Sequence, residues 1–218
     1  MPYPTPDTAH PVTLPDGTVL PINVFLKAVI DHPRIEVGDY TYASDFNPPE
    51  NVSGWASRIA PYIFPNSREK LTIGKFGQFA HGVRFITASA NHKMDGISTY
   101  PFAIHEPDRI FGYPASLPQG RDTVIGHDVW IGMNAIIMPG STIGNGVIVG
   151  AGTVVSGAVP DFAIVAGNRA EVVKMRFEDA DIARINAVAW WNWPMETILA
   201  NEVAITGGDV DVLEAIEP

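Results

Sequence analysis

Histidines, carboxylates, tyrosines and a few scattered cations are left to do chemistry in this chain, because cysteine is absent. That absence removes a disulfide framework, a thiolate metal site and a cysteine nucleophile. Of the histidines His10, His32, His81, His92, His105 and His127, the most notable is His92, in Ala90-Asn91-His92-Lys93-Met94-Asp95-Gly96. Imidazole titrates near neutral pH, as a base must if it is to take a proton from a hydroxyl during acyl transfer. The bland alternative is a loop histidine bonded to local backbone. His81 and His127 each follow a repeat residue by two positions, and read better as exposed corner residues than as bases. Asp95-Gly96 suits a turn, and Asp95 fits bracing that turn better than orienting His92. Arg169, Lys174 and Arg176 form a basic patch that can meet cofactor phosphates or simply be solvated. Trp190-Trp191-Asn192-Trp193 can stack on a ring, but such clusters more often anchor a helix. No P-loop, dinucleotide fingerprint, His-Glu-x-x-His or Gly-x-Ser-x-Gly motif is present.

A six-residue repeat positions these groups. Ile125, Ile131, Ile137, Ile143, Val149 and Val155 recur at that interval, with Val129, Ala135, Ser141, Val147, Thr153 and Val159 four places after each. Glycine follows the aliphatic at Gly126, Gly132, Gly144 and Gly150. A helix advances about 100° per residue, so six-residue steps would scatter these side chains. In strands, positions separated by four or six share a face. The pattern therefore predicts short strands joined by turns, three to a coil of about eighteen residues, which is the hexapeptide β-helix. An earlier block, Ile73, Phe79 and Phe85, carries the same period, and residues 35–42 read as a first coil interrupted near 47–55. Between the blocks, residues 90–121 have no such period and contain Pro101, Pro107, Pro114 and Pro118. Long loops of this kind usually carry function. Past Gly167 the period changes. Residues 177–188 read as a helix, Pro194 opens a second one running to about Val203, and the acidic tail from Thr206 reads as loose.

The expected organisation is a single domain: an N-terminal segment (1–34), the β-helix with its excursion (35–168), and C-terminal helices with a tail (169–218). Charged residues are only 17% of the 218, which favours surface covered by self-association. A net charge of −10 argues against nucleic acid as a partner. No apolar run approaches the roughly 18 residues of a membrane-spanning helix. The N-terminus lacks the basic and apolar regions of a signal peptide, so a cytoplasmic location is expected.

The loop Asn91-His92-Lys93-Met94-Asp95-Gly96-Ile97-Ser98-Thr99-Tyr100-Pro101-Phe102 resembles the signature of the xenobiotic acetyltransferases, which include streptogramin A (virginiamycin) and type B chloramphenicol acetyltransferases. Further matches are Val37-Gly38-Asp39-Tyr40-Thr41-Tyr42, Ile73-Gly74-Lys75-Phe76, Asp128-Val129-Trp130-Ile131-Gly132, Ile137-Met138-Pro139-Gly140 and Trp190-Trp191-Asn192-Trp193-Pro194, in the family's order. The resemblance implies a mainly β fold, a left-handed parallel β-helix with a loop excursion and a helical C-terminal segment. It also implies a homotrimer whose sites lie between subunits, acetyl-CoA as cosubstrate, no metal, and a small-molecule acceptor. In that scheme His92 deprotonates the acceptor hydroxyl, which attacks the thioester directly, and backbone N–H groups hold the oxyanion. Tyr42 and Tyr62 match acceptor-site tyrosines. Trp130, Met133, Ala151, Asn168, Arg169 and Lys174 fall at cofactor positions. Met94-Asp95-Gly96 is closer to the streptogramin branch than to the chloramphenicol branch. The chain departs from the family in having Arg169 where a proline is common, His127 where asparagine is common, and no lysine near Gly157. Two other readings use the same helix. One is a γ-carbonic-anhydrase-like metalloenzyme with His81, His92 and His127 as ligands. The other is a non-catalytic scaffold.

Overall fold

Aliphatics at every sixth position can share one interior only if the chain turns between them and stacks on itself. The computed structural model, which describes residues 3–117 and 120–217, has this form. Pro118, read above as part of the excursion, lies outside the described residues. In chain order the elements begin with β1 (Asn23–Phe25), α1 (Leu26–Val29), β2 (Ile35–Val37), β3 (Tyr42–Ser44), α2 (Trp55–Ile59), β4 (Leu71–Ile73), β5 (Gln78–Phe79) and β6 (Arg84–Phe85). The excursion holds α3 (Tyr113–Ser116) and several single 3₁₀ turns. Then come β7 (Thr123–Ile125), β8 (Trp130–Ile131), β9 (Ile136–Ile137), β10 (Thr142–Ile143), β11 (Ile148–Val149), β12 (Val154–Val155), β13 (Ala158–Val159), β14 (Ala163–Ala166) and β15 (Glu171–Met175). The chain closes with α4 (Asp179–Val188), α5 (Met195–Ala200), α6 (Glu202–Gly207) and α7 (Val210–Glu214).

The strands stack into three sheets, one for each side of a triangular coil: β1-β3-β5-β8-β11-β14-β15, β13-β10-β7-β4-β2, and β12-β9-β6. Pairing between coils is parallel, as in Ile73↔Ile125↔Ile143 and Phe79↔Ile131↔Val149. The repeat aliphatics from Ile125 to Val155 are at most 1% exposed and form the core with Ile73, Phe79 and Phe85. The glycine after each aliphatic answers to a close approach between coils. A Cβ on Gly38 would lie 2.6 Å from the Gly74 carbonyl carbon, and one on Gly126 would lie 2.7 Å from that of Gly144.

The coils differ from the ideal repeat in two ways. Val159 does not follow Val155 on the same strand; it pairs with Ile143, and Val165 pairs with Val149. The last coil is thus sixteen residues long rather than eighteen, because the corner after β12 is two residues shorter. The lowest coil has no strand on the third side. There α2 fills the gap, burying Trp55 and Ile59 in the main core.

The C-terminal part adds what the hexad pattern does not carry. β15 turns back antiparallel on β14 and extends the first sheet. The acidic tail read above as loose contains α7, capped by the Asp209 side chain. Val210 and Leu213 are buried against Phe162, Ile185 and Trp191, and Arg184 bonds both Asp211 and Glu214. Trp191, Phe162 and Ile185 form a second small core that seats these helices on the coils.

Phe79 packs against Phe85 in the coil interior, with ring centroids 5.4 Å apart and the rings tilted at 58°. Phe79→Ala should lower unfolding free energy by about 3–5 kcal/mol in urea titrations. A loss below about 1 kcal/mol would contradict a close-packed coil interior.

Candidate active site

The excursion folds back over residues 62–66 and encloses a cleft of about 640 Å³, a size typical of small-molecule sites. Its walls are apolar, with Phe64, Pro101, Ile104, Phe111 and Leu117 among them. Its polar groups are few: Tyr62, Asn66, Ser89, Asn91, His92 and Tyr113. His92 Nδ1 lies 3.0 Å from the Thr99 carbonyl oxygen. A carbonyl can only accept, so Nδ1 carries the proton and Nε2 carries the free lone pair. That is the tautomer a general base needs. Asp95 makes no hydrogen bond to His92 among the described residues; it lies 3.7 Å from Lys93 in an exposed ion pair. Thr99 therefore does the orienting that a carboxylate would otherwise do.

The candidate cofactor residues collect along a different edge. Trp130 lies in one outward row with Tyr42, Gln78, Ile148, Ile164 and Lys174, each pairing with the next across the first sheet. Met133 and Ala151 sit at successive corners after that sheet, stacked through the Gly152 N–H bond to the Met133 carbonyl. Asn168 stands one coil further on, bridged to Val154, with exposed Arg169 beside it. Among the described residues, the N–H groups of Met133 and Ala151 have no protein acceptor.

Within one chain this edge and the His92 cleft do not meet, since none of these residues lines the cleft. Tyr62 lines the cleft with His92, but Tyr42 does not. Tyr42 borders a separate concavity formed with Tyr3, Pro11, Val12 and Phe25.

His81, His127 and Arg176 have structural work. His81 is partly buried rather than exposed, with Nδ1 2.6 Å from Asp45 Oδ1. Burial pushes the Asp45 carboxyl up, but bonds from Arg58, the Asn47 N–H and His81 outweigh it and hold the group at about 2. His127 is also partly buried: it stacks on Trp191 with ring centroids 5.2 Å apart and accepts the Lys75 N–H at Nδ1, 2.9 Å away. Arg176 leaves the basic patch: it bonds the Gly146 carbonyl, faces Asp128, and lies over the Phe162 and Phe177 rings. Lys174 and Arg169 stay exposed. Within one chain, no group of three or more His, Asp or Glu side chains among the described residues is arranged to hold a metal ion.

Sequence reasoning missed the support beneath His92. Ser67, Glu69 and Thr87 are buried polar residues. They tie residues 62–69 to residues 87–89 just before the histidine. No spacing in the sequence links these two segments. The one available signal was a carboxylate, Glu69, two residues ahead of the buried strand residue Leu71. The orienting role of Thr99 was equally invisible, because it uses a main-chain oxygen.

Residues 122–157 match the family model described as bacterial transferase hexapeptide (six repeats). A chloramphenicol acetyltransferase of Agrobacterium fabrum is 37% identical over 194 residues, spanning 87% of this chain and 90% of the relative. A virginiamycin A acetyltransferase of Staphylococcus aureus is 36% identical over 196 residues, spanning 87% and 85%. A probable macrolide acetyltransferase of Lysinibacillus sphaericus is 46% identical over 140 residues, spanning 63% and 78%. The chain belongs to the xenobiotic acetyltransferase family and is an acetyltransferase.

Burial, then the nearby Lys75 charge, lowers the His127 pKa below its ordinary value near 6.5. The folded protein thus favours the neutral ring, so this stabilisation is complete above the unfolded pKa and is lost as pH falls through the folded one. The melting temperature should drop as pH is lowered from 7.5 to 5, and His127→Asn should flatten that drop. An unchanged pH slope in the variant would remove His127 as its source.

Proposed function

We propose that the protein is an acetyl-CoA-dependent O-acetyltransferase that modifies a hydroxyl on a large apolar acceptor of the antibiotic type. The observation that carries this reading is a histidine with its Nδ1 committed to a carbonyl and its Nε2 free, set in the wall of an apolar cleft. Such a group is neutral beforehand, takes the proton of the alcohol as its oxygen attacks the thioester carbonyl, and returns that proton to the leaving thiolate. The cleft favours acceptors with more hydrocarbon than charge. Within that class a streptogramin A is favoured by Met94-Asp95-Gly96, with chloramphenicol next. Relatives named for chloramphenicol, virginiamycin A and macrolides agree with an antibiotic-like acceptor.

Acetyl-CoA supplies the acetyl group already activated as a thioester. The residues of the second edge suit such a molecule. The unpaired N–H groups at Met133 and Ala151 can hold an amide-bearing arm, Trp130 offers an apolar flank, and Lys174 and Arg169, with Asn168 between coils, offer charge for phosphates. Because that edge and the cleft lie apart in one chain, this reading needs a second copy to bring them together. The assembly is accordingly a homotrimer of left-handed coils, with Tyr42 of one copy available to another copy's cleft. Residues 1–34, 35–168 and 169–218 act as one domain, and the cytoplasm, where acetyl-CoA is at hand, is the expected place.

The test is thiol release from acetyl-CoA by purified protein offered a streptogramin A, chloramphenicol, a macrolide and simple sugars. Turnover with one of the antibiotics is expected, and His92→Ala should lower kcat by about 10²–10⁴-fold. Near-normal activity in that variant would remove His92 from its role. Tyr62→Ala should chiefly raise KM for the acceptor; a change confined to the acetyl-CoA KM would put the acceptor elsewhere.

A further inference from the structure

Residues 67–70 are the point at which both ends of the excursion and the opposite wall of the cleft are fastened. On the departing side, the buried Glu69 carboxylate accepts the Ser89 N–H at 2.8 Å. Ser67 Oγ lies 2.7 Å from Ser89 Oγ and accepts the Phe64 N–H at 2.9 Å. Either hydroxyl can donate in this serine pair, because each oxygen has two lone pairs to accept with. Thr87 Oγ1 donates to the Tyr62 carbonyl at 3.0 Å. On the returning side, the Lys70 N–H donates to Asp122 Oδ1 at 2.8 Å and the Thr123 N–H to the Lys70 carbonyl at 2.9 Å.

The segment so held runs straight to the base. Residues 88–90 form one 3₁₀ turn, closed by the Ala90 N–H to Thr87 and the Asn91 N–H to Ala88. His92 follows with no further regular structure, and Ser89, Ala90 and Asn91 share its cleft. Burial raises the Glu69 carboxyl, but hydrogen bonds from its own N–H and from Ser89 outweigh that and leave it below the ordinary carboxylate value. The group is thus ionised at neutral pH, and its bonds are the stronger, charge-assisted kind. This carboxylate is only 4% exposed. A coil interior needs no charge, and breaking the bonds of a buried charge is costly.

We propose that Glu69 is a positioning residue for the reaction: through Ser89 it fixes the 3₁₀ turn that aims His92 across the cleft toward Tyr62. This rests on His92 being the base. Glu69 touches neither acceptor nor cosubstrate, so its loss should misaim the histidine without emptying the cofactor edge. Displacements of about 1 Å can cost on the order of 100-fold in rate.

The experiment measures kcat and both KM values for Glu69→Ala, Glu69→Gln and Glu69→Asp beside His92→Ala, with melting temperatures taken on the same preparations. Glutamine keeps the length and an oxygen for the Ser89 N–H but gives up the charge, so it should be impaired less than alanine or aspartate. Alanine, and aspartate with its carboxylate drawn back by a methylene, should lose about 10- to 100-fold in kcat per folded enzyme with the acetyl-CoA KM unchanged. If alanine does not fold, the contrast between aspartate and glutamine decides. The proposal is overturned if kcat is unchanged in the alanine and aspartate variants, if glutamine is as impaired as they are, or if activity falls only as the folded fraction falls. Loss in His92→Ala with none in the Glu69 variants sinks this proposal alone. An unimpaired His92→Ala sinks the reading of His92 as base, and the proposal with it.

Discussion

Everything in this molecule hangs on the stacking of one coil's backbone on the next. Each short strand is too small to be stable by itself, and it gains its hydrogen bonds only from equivalent strands above and below, as in Ile73, Ile125 and Ile143. That requirement sets the spacing between coils, and the spacing in turn dictates which side chains are admissible. An aliphatic must fill the interior, and at the corner a glycine must let the next carbonyl approach. A sequence obeying these rules gains a rigid prism. Its outward rows are straight lines of residues far apart in the chain, and the row from Tyr42 through Trp130 to Lys174 is one of them.

Rigidity of that kind suits a surface that must bind but is poor at enclosing a substrate. The enclosure comes from the places where the coil rule is suspended. The two long insertions, one after β3 and one after β6, bring Tyr62 and His92 to the same cleft. The polar clasp at Ser67, Glu69, Thr87 and Ser89 keeps them from drifting. The price of holding an irregular loop is thus a small buried hydrogen-bond network beside an otherwise apolar core. The same principle appears at the far end of the stack. There Asp161, Asn145 and Asn186 bond one another and moor α4 to a coil corner.

The hexad was legible because it is a strictly local signal: each inward residue announces its neighbour six places on, and the burial of Ile125 to Val155 follows the frame residue by residue. The frame misled only where a corner lost two residues and Val159 took the place of a new strand. His92 was legible as a candidate from its chemistry and its place in a non-repeating stretch. Its orienter was not, since a main-chain carbonyl carries no residue signature. His81 and His127 were read as exposed corners. Their burial depends on Asp45 and Trp191, whose distance along the chain hides the contact. β15 and α7 carry weak signatures, because β15 buries no residue fully and α7 buries only Val210 and Leu213 among acidic neighbours.

Between β6 and β7 the chain leaves the prism for more than thirty residues, yet β7 resumes directly above β4, with Thr123 opposite Leu71. The scaffold is therefore indifferent to the length of what is inserted there, provided both ends return to the same two anchor points. Most of the cleft's lining and the coil repeat are therefore written in separate stretches of the chain, so the walls of the cleft can change while the coils beneath keep the same hydrogen-bonded register.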